Sequence, residues 1–151
     1  MQSLLIYLIS YPNYGVLKVN HMIHMLAILT TALLFGGMTL YSFGFAAFLF
    51  KTLPAATAGS TLRKAFPWFY TFVIITAGAA ALLWWPRNPM AAAWLGAVAF
   101  TTVPVRQLLM PAINSATDAG QRQRFKWLHA ASVLVTLAHI AITGWLLTTL
   151  A

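Results

Sequence analysis

The sequence predicts an all-α integral membrane protein that forms a bundle of four transmembrane helices. Four apolar stretches are each long enough to cross a hydrocarbon layer, which takes about 20 helical residues. Only 7% of the residues are charged, whereas a soluble domain carries about a quarter. Strand-like alternation is absent from the apolar stretches, and a helix satisfies its own backbone hydrogen bonds within lipid. These observations together define the fold class.

The segment before the first span, residues 1–20, is predicted to lie on the membrane surface. Leu4, Leu5 and Leu8 recur at helical spacing, but the apolar run is too short to span. The segment also lacks the basic region and the cleavage site of a secretory signal. We therefore predict an interfacial segment over 1–20 and a four-helix transmembrane domain over 21–151. A disordered or partner-bound tail is the alternative for the first segment.

The positions of the four spans follow from the apolar runs and the prolines. The predicted spans are about 22–50, 67–86, 90–110 and 125–150. Pro67 and Pro86 fall at the two ends of the second span, where a missing N–H costs least. Pro104 lies inside the third span and is expected to kink it near its end. Short loops make successive helices antiparallel neighbours, which favours one compact bundle.

The basic residues predict the orientation of the bundle. Seven of the nine Lys and Arg residues flank the first and third loops, and they are Lys51, Arg63, Lys64, Arg106, Arg122, Arg124 and Lys126. Only Lys18 and Arg87 lie on the opposite side. The positive-inside rule then places both termini on the outer, periplasmic side of a cell inner membrane. Juxtamembrane charges of this kind meet lipid headgroups, so a nucleic-acid partner is not expected.

The fourth span carries a stripe of polar residues. The spacing is three, four, three and four for His129, Ser132, Thr136, His139 and Thr143. This spacing puts the five residues along one side of a helix, and a polar stripe is expected to face the bundle rather than lipid. Two interpretations stay open: hydrogen bonds that fix the packing, or a cofactor site or proton path. On the first span, His24, Thr31 and Met38 recur at seven and form a similar stripe.

Three histidines are candidate cofactor-binding residues, namely His139, His129 and His24, and haem b is the cofactor considered. Bis-histidine ligation needs two imidazoles at nearly the same depth on facing helices. His24 lies near the outer end of its span, while His139 lies near the middle of its own. At 1.5 Å per residue the depths differ by about 10–15 Å. This difference disfavours the pair and leaves His139 as a possible single ligand.

The stretch "HMIHM", which opens the first span, is a candidate copper site. His21 with His24, and Met22 with Met25, are each three residues apart, and imidazole and thioether ligands suit Cu(I). The two pairs point about 100° apart around a helix, so one helix does not easily close all four around one ion. The alternative interpretation is a membrane boundary, with His21 at the headgroup level and His24 hydrogen-bonded inside the bundle.

The acidic residues limit the possible chemistry. Asp118 is the only carboxylate in the chain, and there is no cysteine. Thiolate chemistry is therefore excluded, and general acid–base hydrolysis by paired carboxylates is not expected. Arg106 is predicted to pair with Asp118, with extension to the membrane surface as the alternative. We therefore predict a non-catalytic protein, an accessory or scaffolding subunit that contacts the lipid bilayer and other membrane subunits.

Four segments carry a resemblance to a known family. They are "GGMTLYSFGFAAFLFKTLP" at 36–54, "LRKAFPWFY" at 62–70, "VRQLLMPAINSATDAG" at 105–120 and "FKWLHAASVL" at 125–134. In this order they resemble the transmembrane protein 205 family and the bacterial domain of unknown function 4149. The resemblance covers about residues 20–150 and implies a four-helix membrane domain. It also implies that Arg106, Pro111, Asn114 and His129 match motif residues of the family.

The layout is more remotely similar to the CopD copper-resistance proteins and to HemJ-type protoporphyrinogen oxidases. Both are small bundles with a histidine before a glycine pair on the first helix. That histidine usually stands about nine or ten residues before the glycine, which is near Ala27 here, and His24 lies one turn earlier. The similarity implies haem or copper handling as the alternative function, with a haem-biosynthetic oxidoreductase ranked third.

Overall fold

The computed structural model describes residues 14–150, and this range is helical with short turns and no strand. Four helices within it are long and apolar enough to cross a membrane. They are α1 (14–52), α2 (Ala55–Trp84), α3 (Pro89–Asp118) and α4 (Arg122–Leu150). The predicted all-helical class with four membrane spans is therefore confirmed.

Helix α1 begins earlier than the sequence pattern suggested. Its first α-helical segment is Tyr14–Thr39, so residues 14–20 form its first turns. The rest of the predicted interfacial segment, 1–13, lies outside the described residues. Interfacial placement of this segment stays a prediction.

Helix α2 also begins earlier, and the prediction that Pro67 starts it is wrong. The helix begins at Ala55 and contains Pro67 in its interior. Leu53 is extended, as expected for a residue before proline, and Pro54 occupies the capping position. The stretch after it, "AATAGSTLRKAF", contains several good helix formers. An internal proline removes one backbone hydrogen bond, and transmembrane helices tolerate this loss.

Two helices change from α-helical to π-helical geometry for about one turn. In α1 the π-helical segment is Leu40–Phe45, and in α3 it is Val105–Leu109. The segment in α3 directly follows Pro104, which lacks an N–H and crowds the preceding turn. The irregularity expected at this proline therefore takes the form of a wider turn. Beyond it, Met110–Asp118 continues α3 past the predicted end of the span.

Short turns with specific capping residues connect the helices. Before α3, the side chain of Asn88 accepts a hydrogen bond from the backbone N–H of Ala91 at 3.0 Å, and Pro89 starts the helix. Both are favoured positions for these residues. After α3, Gly120 has φ +65°, the left-handed conformation that favours glycine at the end of a helix. These signals explain where α3 starts and ends.

The four helices form one antiparallel bundle. Helix α1 packs against α2 and α4, and α3 packs against the same two helices. One end of the bundle, which we call the basic end, holds the α1–α2 and α3–α4 turns, at 53–54 and 119–121. The opposite end, the terminal end, holds the start of α1 and the end of α4. There the Arg87 guanidinium donates to the carbonyl of Asn20.

The interior is apolar and closely packed over most of its length. Buried apolar residues in it include Ala27, Leu34, Met38, Val73, Ala77, Ala80, Leu95 and Val98. Fully buried Ala77 and Ala80 belong to the stretch "TAGAAA" at 76–81 of α2, whose small side chains allow close approach of a neighbouring helix. Large apolar side chains on the outside, such as Leu82 and Phe100, are each 78% exposed. This outer surface is consistent with contact to the lipid bilayer.

Gly37 on α1 is expected to be intolerant of a side chain. A Cβ atom at this position would lie 2.6 Å from the ring of Phe72 on α2. Gly37→Leu is expected to lower the free energy of unfolding by about 1–3 kcal/mol, because overpacking displaces neighbouring groups. Thermal unfolding in detergent, followed by circular dichroism, measures the change. Gly36→Leu is the matched control, since nothing lies within 4 Å of a Cβ atom there; equal effects would contradict this close contact.

Candidate functional site

The bundle opens into a cleft at the basic end. There the last segment of α1, Ala46–Thr52, packs on α2, while the last segment of α3, Met110–Asp118, packs on α4. A cavity of about 830 Å³ lies between these two pairs, within the size range of small-molecule sites. We call it the basic-end cleft; its walls include Tyr41, Phe50, Phe66, Met110, Phe125 and Leu137. It is the candidate functional site.

Stacked aromatic rings form the deep wall of the basic-end cleft. Tyr41 stacks on Phe69 with ring centroids 4.3 Å apart, and Phe66 stacks on Tyr70 at 5.9 Å. Tilted and edge contacts join the two stacks, so the wall is a continuous apolar surface. The buried hydroxyl oxygen of Tyr41 has no hydrogen-bond partner among residues 14–150. A hydroxyl of this kind costs about 1–3 kcal/mol when it stays unsatisfied.

Polar and cationic groups surround the mouth of the basic-end cleft. Arg63 and Lys64 line it from α2, Asn114 from α3 and His129 from α4. The Arg63 guanidinium makes an ion pair with Asp118, with Nη1 and Oδ1 2.8 Å apart, and Nη2 donates to the Asn114 carbonyl at 3.5 Å. These bonds connect α2 to the end of α3 across the mouth.

The ion pair at the mouth is exposed to its surroundings. The Arg63 side chain is 38% exposed and that of Asp118 64%. Exposed pairs of this kind contribute about 0–1 kcal/mol to stability, because the surrounding solvent stabilises both charges when the pair separates. Another anion can therefore replace Asp118 at the guanidinium without a large loss of stability.

The predicted pairing of Arg106 with Asp118 is wrong. Because α3 continues through Asp118, the two residues are about 18 Å apart along the helix axis. Arg106 instead donates from Nε to the carbonyl of Pro67 at 3.5 Å. Pro111 lies exposed in the turn of α3 that follows the π-helical segment. Of the predicted motif residues, the structure brings Asn114, Asp118 and His129 to the basic end of the bundle.

The polar stripe of α4 faces the interior over most of its length. Ser132, His139 and Thr143 are buried, Thr136 is half-buried and His129 is exposed. The hydroxyl groups bond within α4: those of Ser132, Thr136 and Thr143 donate to the carbonyls of His129, Ser132 and His139. The stripe therefore faces the bundle as predicted, but its hydroxyl protons are satisfied on their own helix.

His129 contributes a flat surface to the basic-end cleft. Its imidazole stacks on the ring of Phe125, one turn earlier on α4, with centroids 5.4 Å apart and planes 6° from parallel. The pair lines the cleft beside Ser132 and Thr136. The imidazole therefore adds a polar ring to the lining of the cleft, and its nitrogens are groups that can donate or accept hydrogen bonds.

His139 makes a side-chain bond across the bundle. Its Nε2 lies 2.9 Å from the hydroxyl oxygen of Thr101 on α3, and that hydroxyl is also 2.6 Å from the Ala97 carbonyl. The hydroxyl donates to the Ala97 carbonyl, and the direction of its contact with Nε2 depends on the tautomer of His139.

A small cavity beside His139 adjoins the basic-end cleft. Its volume is about 10 Å³, which is about enough for one water molecule. Tyr70, Thr102 and Thr136 supply polar groups around it, and Tyr70 and Thr136 also line the cleft. Polar groups therefore continue from the basic-end cleft into the middle of the bundle, as far as His139.

The histidines do not come together as a pair of haem ligands. His24 lies edge-on to Trp84, with ring centroids 5.4 Å apart. His139 shares its small cavity with Val73 on the same helix as Trp84. These two positions on α2 are about 16 Å apart along the helix axis, and one iron cannot bridge that distance. The described residues therefore do not fit bis-histidine haem ligation by His24 and His139.

Trp84 joins α1 and α2 near the terminal end. Its indole N–H donates to the hydroxyl oxygen of Thr31 at 3.0 Å, and both side chains are buried. The His24 ring packs against the same indole. His24 and Thr31 of the predicted α1 stripe are thus held by one tryptophan, which the periodicity of α1 alone did not indicate.

The "HMIHM" segment lies mostly on the outside of the bundle. His21 is exposed, and Met22 and Met25 are 54% and 49% exposed. His24 turns toward Trp84 instead. Within residues 14–150, no cluster of three or more histidine or acidic side chains could hold a metal ion. Copper binding by these histidines and methionines stays a prediction.

Comparison with known proteins gives a match to a protein family. The family described as Domain of unknown function (DUF4149) matches residues 29–122. This range contains Tyr41, Arg63 and Asp118 of the basic-end cleft and its mouth, while His129 and His139 lie beyond it. No functionally curated protein and no solved structure matches the chain.

Proposed function

This chain belongs to the DUF4149 family, and we propose that it is a non-catalytic accessory protein of the cell inner membrane. In this proposal the basic-end cleft binds an amphipathic component of the membrane. The cleft itself carries the proposal. It combines a wall of stacked aromatic rings with a few polar groups at the mouth, and this combination is typical of binding sites for partly apolar molecules.

The side chains around the basic-end cleft support binding rather than catalysis. The single carboxylate, that of Asp118, is engaged by Arg63 in an exposed ion pair. The hydroxyl groups of Ser132 and Thr136 donate to backbone carbonyls of α4. A nucleophilic hydroxyl needs a base within hydrogen-bond reach, and these two hydroxyls direct their protons to the main chain.

Two further expectations concern the partners and the cofactors of the protein. Association with other membrane subunits is part of the proposed accessory role. Haem or copper handling is the alternative function that the sequence resemblance to CopD and HemJ proteins implied. The distance between His24 and His139 and the contact of His139 Nε2 with Thr101 argue against it. An absorption spectrum and metal analysis of the purified protein test this alternative.

Filling the basic-end cleft with a large side chain tests the proposed function. Gly59 lines the cleft, and nothing lies within 4 Å of a Cβ atom added there. Gly59→Trp should therefore fit without displacing the backbone and should occupy the cleft. With photoactivatable phosphatidylcholine in detergent, we expect labelling of the cleft-lining peptides to fall by about tenfold, since the loss of apolar contacts is worth 1.4 kcal/mol or more.

Gly96→Trp is the matched control, because a Cβ atom there also meets nothing within 4 Å and the residue does not line the basic-end cleft. Its labelling pattern should equal that of the wild type. Uniform labelling of all four helices in the wild type, or cleft labelling that Gly59→Trp leaves unchanged, would refute the proposed function.

A further inference from the structure

The basic end of the bundle has an excess of positive charge that the chain itself does not neutralise. The sequence has nine Lys and Arg residues and one acidic residue, Asp118. That carboxylate makes its ion pair with Arg63. Lys64 is the next residue and also lines the basic-end cleft, and no second acidic side chain exists to pair with it. The mouth of the cleft is therefore a site for an anion from outside the chain.

The depth of these cations matches the phosphate level of a bilayer. The hydrocarbon layer takes about 20 helical residues. With the end of α2 at Trp84 as the limit of the layer at the terminal end, the other limit falls at about residue 65. Arg63 and Lys64 then lie at the edge of the hydrocarbon layer, where lipid phosphates lie. The same count from Leu150 on α4 ends beside His129. The mouth is thus at headgroup depth, and the aromatic wall below it is within the acyl chains.

The guanidinium of Arg63 has the geometry that phosphate recognition requires. Its planar fork of N–H donors suits two oxygens of one phosphate. At present these donors point to Asp118 at 2.8 Å and, at a longer distance of 3.5 Å, to the Asn114 carbonyl. Both the carboxylate and the guanidinium are partly exposed. A phosphate that enters the mouth can therefore take the place of the carboxylate.

We propose that the basic-end cleft binds an anionic phospholipid of the surrounding leaflet, with its phosphate at Arg63 and Lys64 and an acyl chain against the aromatic wall. Asp118 competes with the phosphate for Arg63 and so limits the affinity. The inference rests on the proposed function and adds the class of ligand. A free phosphate would use only the cations, whereas a phospholipid uses both the cations and the stacked rings of Tyr41 and Phe69.

The test compares two photoactivatable lipids with identical acyl chains, phosphatidylglycerol and phosphatidylcholine, on the purified full chain. For the wild type we expect about tenfold more labelling of cleft-lining peptides by the anionic lipid, because the quaternary ammonium of phosphatidylcholine offsets the charge of its phosphate beside the two cations. In the double variant Arg63→Gln, Lys64→Gln the ratio should fall to about one. Lys51→Gln is the matched control, since it removes a charge at the same end from a residue that does not line the cleft.

Asp118→Asn tests the competition directly. Removal of the competing carboxylate should raise labelling by phosphatidylglycerol about two- to fivefold, as the loss of an exposed ion pair implies, and should raise labelling by the zwitterionic phosphatidylcholine by a smaller factor. A decrease would overturn the competition, because it would mean that the carboxylate positions Arg63 for the ligand. This single variant keeps both cations, so it also tests the inference if the double variant does not fold.

Other outcomes separate this inference from the proposed function. Equal labelling by both lipids that remains sensitive to Gly59→Trp would refute the anionic ligand and leave the proposed function intact. Cleft labelling insensitive to Gly59→Trp with both lipids would refute both. Displacement of phosphatidylglycerol by millimolar inorganic phosphate alone would identify a free anion as the ligand. If the lipids label the cleft in the purified protein but not in native membranes, a partner protein occupies the cleft in the membrane. This outcome would overturn the proposed phospholipid ligand.

Discussion

Replacement of Leu34 by alanine is expected to lower the free energy of unfolding by about 2–5 kcal/mol. Leu34 on α1 is completely buried, and it belongs to the main apolar core with Met38, Ala77 and Leu95. Alanine removes most of the side chain and leaves a cavity that its neighbours fill only in part. Between transmembrane helices, packing contacts provide much of the attraction, because lipid is as apolar as the core.

The adjacent residue supplies the control for this prediction. Leu33 is 57% exposed and faces outward, so Leu33→Ala removes the same atoms without leaving an internal cavity. Its effect should stay within about 0.5 kcal/mol, as for other substitutions away from the core. Unfolding of both variants in mixed micelles, followed by circular dichroism, gives the two values. Similar losses for Leu33 and Leu34 would contradict the assignment of the buried face of α1.

The fold class could be predicted because it depends on a property of single segments, namely long apolar runs with few charges. The helix bounds could not, because hydropathy reports only the part of a helix that lies in the hydrocarbon layer. Residues 55–66 of α2 and 111–118 of α3 are more polar and still helical. Pro67 was misleading for a different reason. A proline only removes one backbone hydrogen bond, and the surrounding fold decides whether the helix continues through it.

The polar stripe of α4 could be predicted as well, since it depends on the period of one helix. The basic-end cleft could not, because its walls come from four helices and its width depends on how far their ends separate. The ion-pair partner of Asp118 could not be predicted from the sequence either. Seven Lys and Arg residues were available on that side of the membrane, and only the continuation of α3 brings the carboxylate to Arg63 rather than to Arg106.

The two π-helical segments connect the fold to the site. Leu40–Phe45 in α1 includes Tyr41, and Val105–Leu109 in α3 ends directly before Met110; both of these residues line the basic-end cleft. A π-helical turn widens a helix locally and is frequent at functional sites. The bundle is closely packed on the terminal side of these turns and open on the basic side. The change in helix geometry in α1 and α3 therefore lies where the bundle opens into the cleft.

The orientation of the bundle is expected to give an all-or-none result with reporter fusions in a bacterial host. Seven Lys and Arg residues flank the basic end and two the terminal end, so the positive-inside rule places the basic end in the cytoplasm. Alkaline phosphatase, which is active only in the periplasm, should be active when fused after Ala151, and a fluorescent reporter that matures only in the cytoplasm should be dark there.

Fusions after Gly120 provide the opposite control. The chain then ends after α3 at the basic end, so the fluorescent reporter should be bright and the phosphatase inactive. Bright fluorescence after Ala151 together with phosphatase activity after Gly120 would reverse the orientation. The basic-end cleft would then face the outer leaflet, and the cations at its mouth would meet the phosphates of that leaflet. The reporters thus decide which leaflet supplies the anionic phospholipid, whatever its affinity for the cleft.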